Sequence, residues 1–135
     1  MKKELIRIIT TNPLEIKRIT TEALAFISDC AQCDGDIFRI RLCILEALAN
    51  SYAHGNQQIE DKKIMVKVSI EGKKIEIYIR DEGKGIELAQ ALTCDFPDWD
   101  EEGGRGIPIL KAYCDEVCWA EESGEVRLTF ELDSQ

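Results

Sequence analysis

Glu46, Asn50 and His54 stand four residues apart in the run Glu46-Ala47-Leu48-Ala49-Asn50-Ser51-Tyr52-Ala53-His54-Gly55-Asn56. On a helix this spacing puts all three on one stripe. Magnesium is a hard cation that prefers oxygen, keeps several waters and commonly takes one or two protein ligands plus substrate phosphates. Asn50 could supply such a ligand through its side-chain oxygen. Glu46, one turn earlier, could orient or deprotonate an attacking hydroxyl or water. His54 fits the helix end better than the chemistry. Two glycine-bearing segments follow, Asp81-Glu82-Gly83-Lys84-Gly85-Ile86 and Gly103-Gly104-Arg105-Gly106-Ile107. Each signal is weak alone. Their order is specific: helix stripe, then Asp-x-Gly-x-Gly, then Gly-x-Gly before another helix. It points to a magnesium-nucleotide pocket and to phosphate handling.

Asp81 ends an alternating Ile-x-Ile-x-Ile strand. A carboxylate there can accept a hydrogen bond from an exocyclic amine such as that of adenine, and Gly83 and Gly85 would let the backbone approach a flat base. The plainer alternative is an acidic turn after a strand. Gly104, Arg105 and Gly106 precede the third helix, where free backbone N–H groups favour phosphate and glycines leave room for it. The plainer alternative there is a flexible connector.

These residues need elements to hold them. Glu4 to Thr10 reads as a strand. Pro13, after a Thr11-Asn12 cap, opens a helix that repeats Ile16, Ile19, Ala23, Phe26 and Ile27 and runs to about Ala31. Asp36 can cap a second helix running to about Ala53 and ended by His54-Gly55-Asn56. This helix is mostly apolar, with Phe38, Leu42, Leu45 and Ala49 on one stripe and Ile37, Ile44 and Leu48 roughly opposite, so it should be largely buried. Between the stripes runs a polar seam of Arg39, Glu46, Asn50 and His54. Burying such groups without partners costs several kcal/mol. Either the seam faces a pocket, or it is exposed or closed internally, for instance by Arg39 with Glu46.

Residues 64–70 and 75–79 alternate as two strands joined by a turn at Glu71-Gly72-Lys73-Lys74. A short helix is expected over 87–92 and an acidic loop over 93–104, which would act as a lid. A helix then starts near Ile107 and carries Ile109, Leu110 and Tyr113. Val117 to Ala120 and Val126 to Leu132 close the chain as a hairpin around Glu122-Ser123-Gly124. Runs of strands and helices in this order predict an α+β two-layer sandwich, with a mixed, mostly antiparallel sheet of about five strands packed on three helices. There is no doubly wound βαβ alternation and no Gly-x4-Gly-Lys-Ser/Thr loop.

At 135 residues the chain is expected to form one domain, 1–135. Hydrophobic residues at 44% argue against disorder. A net charge of −9 with no large Lys/Arg cluster argues against nucleic acid as partner. The apolar runs are too short to span a bilayer, and Met1-Lys2-Lys3-Glu4 does not begin a signal peptide, so a cytoplasmic location is expected. Six cysteines, at 30, 33, 43, 94, 114 and 118, are loosely compatible with zinc but read better as reduced thiols in or near a core.

Together, the Glu46/Asn50 helix, Asp81-x-Gly83-x-Gly85 and Gly104-Arg105-Gly106 resemble the ATP-binding fold shared by gyrase, heat-shock chaperones of the ninety-kilodalton class, histidine kinases and mismatch-repair ATPases. The resemblance covers nearly the whole chain. Within that superfamily the sequence is most similar to the small anti-sigma-factor serine/threonine kinases. Glu46 stands where histidine kinases usually carry Asn, Asn50 is followed by Ala53-His54-Gly55, and no phospho-accepting histidine helix precedes the motifs.

The resemblance implies ATP and Mg2+ as cofactors, with Asn50 as the magnesium ligand, Glu46 as the catalytic base and Asp81 as the adenine reader. Gly83 and Gly85 would shape the base pocket. Gly104 and Gly106 would line the phosphates, with Ile86 and Ile107 closing the two motifs in the nucleotide-binding set. It also implies a dimer that sequesters a sigma factor or similar regulator and phosphorylates a serine on a small antagonist domain. One departure stands out. The branch carries an arginine just before the glycines of the third motif, where this chain has Glu101 and Glu102. Arg105 is the nearby cation that could touch the terminal phosphate in its place, in a catalytic as well as a binding role. A non-catalytic partner-binding module with a weak or vestigial nucleotide site is the competing reading. An isolated ATP-binding domain of a histidine kinase system fits Glu46 poorly.

Overall fold

The computed structural model describes residues 2–31, 35–82, 106–120 and 125–132. Alternating apolar residues form β1 (Lys2–Thr10), β2 (Lys63–Glu71), β3 (Lys74–Arg80), β4 (Glu116–Ala120) and β5 (Glu125–Glu131). They make one sheet in the order β1-β2-β3-β5-β4, with all four pairings antiparallel. The helices are α1 (Pro13–Cys30), α2 (Ile37–Asn50) and α3 (Gly106–Tyr113). The fold is thus the α+β sandwich that the sequence predicts. The short helix expected over 87–92 and the acidic loop over 93–104 lie outside the described residues.

Local chemistry accounts for the element boundaries. Asn12 caps α1, its Oδ1 accepting from Leu14 N–H at 2.8 Å, and Pro13 takes the first helical position. Gly72, with φ +62°, takes the first central place of the two-residue β2–β3 loop, as a tight hairpin of right-twisted strands requires. Thr11 is buried between β1 and α1 and donates from Oγ1 to Lys62 O at 2.7 Å, pinning that corner to the start of β2.

One face of the sheet makes the core. Ile64, Val66, Val68 and Ile70 of β2 meet Ile75, Ile77 and Ile79 of β3 and Leu128 and Phe130 of β5, all buried. α1 covers β1 and β2 with Ile19, Ala23 and Ile27. α2 lies over β3 and β5, and α3 packs on α2 and β4. The opposite face is more polar, with Lys67 Nζ 4.8 Å from the Tyr78 ring centre and Arg127 donating to Cys118 Sγ at 3.4 Å.

The stripes of α2 differ from expectation. Its buried residues are Ile40, Cys43, Ile44, Ala47 and Leu48, at i, i+3, i+4, i+7 and i+8. Phe38 is 68% exposed, Ala49 is exposed, and Leu42 and Leu45 are half-buried. The helix therefore buries one face instead of its whole circumference. A nearly all-apolar helix does not announce which face is inward. Here the sheet on one side and α3 on the other choose the stripe with the small residues Cys43 and Ala47, which allow close approach.

Candidate functional site

The end of α2 is where the sequence places its chemistry. Asn50 is the last residue of α2, and Ser51–Gly55 continue as one wider π-helical turn. Such turns recur at functional sites because they re-aim side chains on a helix. Glu46 and Asn50 flank the buried stripe, and both are half-buried. No described residue forms an ion pair or hydrogen bond with Glu46. The amide Nδ2 of Asn50 is buried and has no hydrogen-bond partner among the described residues. A buried polar atom left so costs on the order of 1–3 kcal/mol. Arg127 Nε and Thr129 Oγ1 are left in the same way, but of the three only the Asn50 amide lies on the helix that carries Glu46. A half-turn of the side chain exchanges nitrogen and oxygen at that corner, so the amide can present an oxygen to a hard cation. Among the described residues no cluster of three or more His, Cys, Asp or Glu could hold a metal alone. A cation carried by a polyphosphate and fixed by one amide requires none, so the residues present fit magnesium brought in with a nucleotide.

Arg39 does not belong to this seam. Its Nε donates to Asp36 Oδ1 at 2.8 Å, Nη1 to Tyr113 O at 2.8 Å and Nη2 to Glu131 O at 3.1 Å, and Asp115 lies 3.5 Å away. The guanidinium also stacks 5.3 Å from the centre of the Phe130 ring. Burial opposes its charge, but the bonds and charges of Asp36 and Asp115 outweigh that and hold its pKa above the ordinary arginine value. The Arg39–Glu46 pair considered from sequence does not form. Nor does Asp36 cap α2 with its side chain: its backbone is already helical, and its carboxylate accepts from Arg39 instead. Arg39 thus clasps the end of α3 and the end of β5 to the first turn of α2.

Asp81 follows β3 directly and is half-buried. The next residue is held firmly. Glu82 N–H donates to Asn56 Oδ1 at 2.7 Å, and Glu82 Oε2 accepts from Lys63 N–H at 2.6 Å. Asn56 is fully buried just past the π turn, and its Nδ2 donates to Thr11 Oγ1 at 2.8 Å and to Lys63 O at 3.0 Å. The structure therefore brings the end of the Glu46/Asn50 helix and the start of the Asp81 loop to one place, with Asn56 between them. Sequence reasoning treats Asn56 only as part of the helix stop. The available signal was an asparagine immediately after His54-Gly55, a type that favours exposed turns yet here is buried.

The third motif is described in part. Gly106 and Ile107 form the first turn of α3, whose Leu110 is buried against the core. Gly83, Gly85, Ile86, Gly104 and Arg105 lie outside the described residues. A shallow surface depression on α1, lined by Leu14, Lys17, Arg18, Thr21, Glu22 and Ala25, includes none of the site residues.

Comparison with known proteins bears on this arrangement. The family model described as "histidine kinase-like ATPase domain" matches residues 9–130, a span that runs from β1 to β5 and includes all three motifs. No curated protein matched the chain.

Proposed function

The chain belongs to the histidine kinase-like ATPase domain family, whose members bind ATP, and from that premise we propose that it is an ATP- and magnesium-dependent protein serine/threonine kinase acting as an anti-sigma factor. The observation that carries this reading is the buried Nδ2 of Asn50, which has no hydrogen-bond partner among the described residues and lies one helical turn after a half-buried Glu46. Asn50 would hold magnesium through its side-chain oxygen. Magnesium held there with ATP would supply charge neutralisation at the phosphates. Glu46 would take the proton from a serine hydroxyl as that oxygen bonds to the terminal phosphorus and the bond to the bridging oxygen of ADP breaks. Asp81 would accept from the adenine amine, and Gly83, Gly85 and Ile86 would line the base. Gly104, Gly106 and Ile107 would present backbone to the phosphates at the start of α3. Arg105 would meet the terminal phosphate.

The partners in this reading are a sigma factor or similar regulator and a small antagonist domain bearing the serine, with the kinase acting as a dimer of one-domain chains. The proposed location is the cytoplasm. Among the described residues no helix is long and apolar enough to cross a membrane. Glu101 and Glu102, where the branch carries a cation, favour a second reading: a partner-binding module that holds nucleotide without turnover.

Phosphate transfer separates the two. The protein is incubated with magnesium and ATP labelled at the terminal phosphate, together with small antagonist domains that carry a serine. The kinase reading expects label on the serine and a loss of about 10²–10⁴-fold in rate for Glu46→Gln, with nucleotide binding retained. Nucleotide binding without any transfer would leave the module reading standing.

A further inference from the structure

Asn56 is 0% exposed, and both ends of its side chain are engaged. Oδ1 accepts from the backbone of Glu82, and Nδ2 donates to Thr11 and to the Lys63 carbonyl. Its own backbone closes the π turn, with Asn56 N–H donating to Ser51 O at 2.8 Å, and its carbonyl accepts from Ile59 N–H at 3.0 Å. A residue that only ended the helix would need the bond to Ser51 alone. The bond to Glu82 does something different, because it fixes the peptide immediately after Asp81 to the peptide chain that carries Asn50. A hydrogen bond weakens steeply once its geometry departs by a few tenths of an ångström or some tens of degrees, so a carboxylate that reads one amine must have its backbone held.

We propose that Asn56 is a positioning residue for nucleotide recognition: by holding the Glu82 N–H it sets the place of the Asp81 carboxylate relative to the end of α2, and so sets the preference for a 6-amino purine. This rests on the reading of Asp81 as the group that accepts from the base amine. Asn56 touches no nucleotide itself and acts through Asp81. Thr11 provides the contrast. Its hydroxyl also bonds Asn56 and the residue is also buried, yet that hydroxyl bonds Lys62 O and Asn56, not Glu82.

The test compares ADP with inosine diphosphate, which lacks the 6-amino group, by calorimetric titration without magnesium, so that Asn50 is not in play. The unmodified protein should prefer ADP. Asn56→Ser should lower the ADP affinity about tenfold while leaving inosine diphosphate nearly unchanged, so that the ratio collapses. Thr11→Val should lower the thermal midpoint but keep the ratio. Asp81→Asn should abolish the ratio, and adding Asn56→Ser to it should change the ratio no further. A folded Asn56→Ser protein with the preference intact would overturn the proposal, as would additive losses in the double variant.

If Asn56→Ser fails to fold, the unmodified protein still decides. On ADP binding the side-chain amide resonances of Asn56 and the backbone resonance of Glu82 should shift together, and an unmoved Asn56 beside a shifted Asp81 would refute its role. An unmodified protein that binds both nucleotides equally, or neither, would instead overturn the reading of Asp81, a result distinct from failure at Asn56.

Discussion

Removing the Arg39 side chain should cost far more than a charged side chain on the first turn of a helix usually does. In Arg39→Ala, the charge-assisted bonds to Tyr113 O and Glu131 O are lost outright, along with the ion pair to the buried Asp36. A hydrogen bond involving a charged group is worth roughly 1.5–3 kcal/mol net. Tyr113 and Glu131 are exposed, so their carbonyls regain water, and the lower end of that range applies to each. Two such bonds give about 3 kcal/mol and the bond to the buried Asp36 carboxylate at least about 1.5 kcal/mol more, so roughly 4.5 kcal/mol of stability is lost, to which loss of stacking on Phe130 adds a fraction of a kcal/mol. Equilibrium urea unfolding, read as a shift of the midpoint at unchanged slope, measures it. Arg39→Lys keeps a charge but cannot fork to three acceptors, so it should recover less than half. Hydrogen exchange should quicken first around Leu110 to Cys114, because the clasp is what holds that end of α3 on α2. An Arg39→Ala protein within about 1 kcal/mol of the parent would refute the clasp.

Two further outcomes follow from particular geometries. Gly72→Ala should destabilise by about 1 kcal/mol, since a Cβ there would touch nothing within 4 Å and only the φ of +62° opposes it; an effect under about 0.3 kcal/mol in urea unfolding would contradict the turn. The Cys114 thiol is pushed well above its ordinary value of 9.0, first by hydrogen bonding with Cys43 and then by burial. Below pH 9 both folded and unfolded chains keep this proton. Above it only the folded chain does, so stability should fall as pH rises past 9, by at most about 1.4 kcal/mol per unit. Cys114→Ala should remove that downturn, and identical pH profiles for the two proteins would contradict it.

Much of the fold is legible in the sequence because its signals are local. The alternation of β2 and β3, the glycine of their turn, and the Asn12-Pro13 start of α1 each act within a few residues. The parts that were not legible depend on distant partners. Arg39 finds Tyr113, Asp115 and Glu131, none of which its neighbours in sequence announce. Asn56 joins Thr11, Lys63 and Glu82 from three segments, so it reads as a helix stop when it is a junction. The inward face of α2 is set by what packs on it, since apolar residues occur all around that helix. The π turn at Ser51–Gly55 carries no pattern that separates it from an ordinary last turn. The spacing of Glu46 and Asn50 survives because both lie within α2, where four residues mean one turn in sequence and structure alike.

The role proposed for the Asn50 amide is to hold magnesium-bound ATP. Calorimetric titration of ATP into the unmodified protein and into Asn50→Ala, each with and without magnesium, tests it most directly. Magnesium should strengthen ATP binding to the unmodified protein and have no such effect on the variant, whose unfolding midpoint in urea should stay near that of the parent. A folded Asn50→Ala protein that gains as much affinity from magnesium as the parent would contradict it.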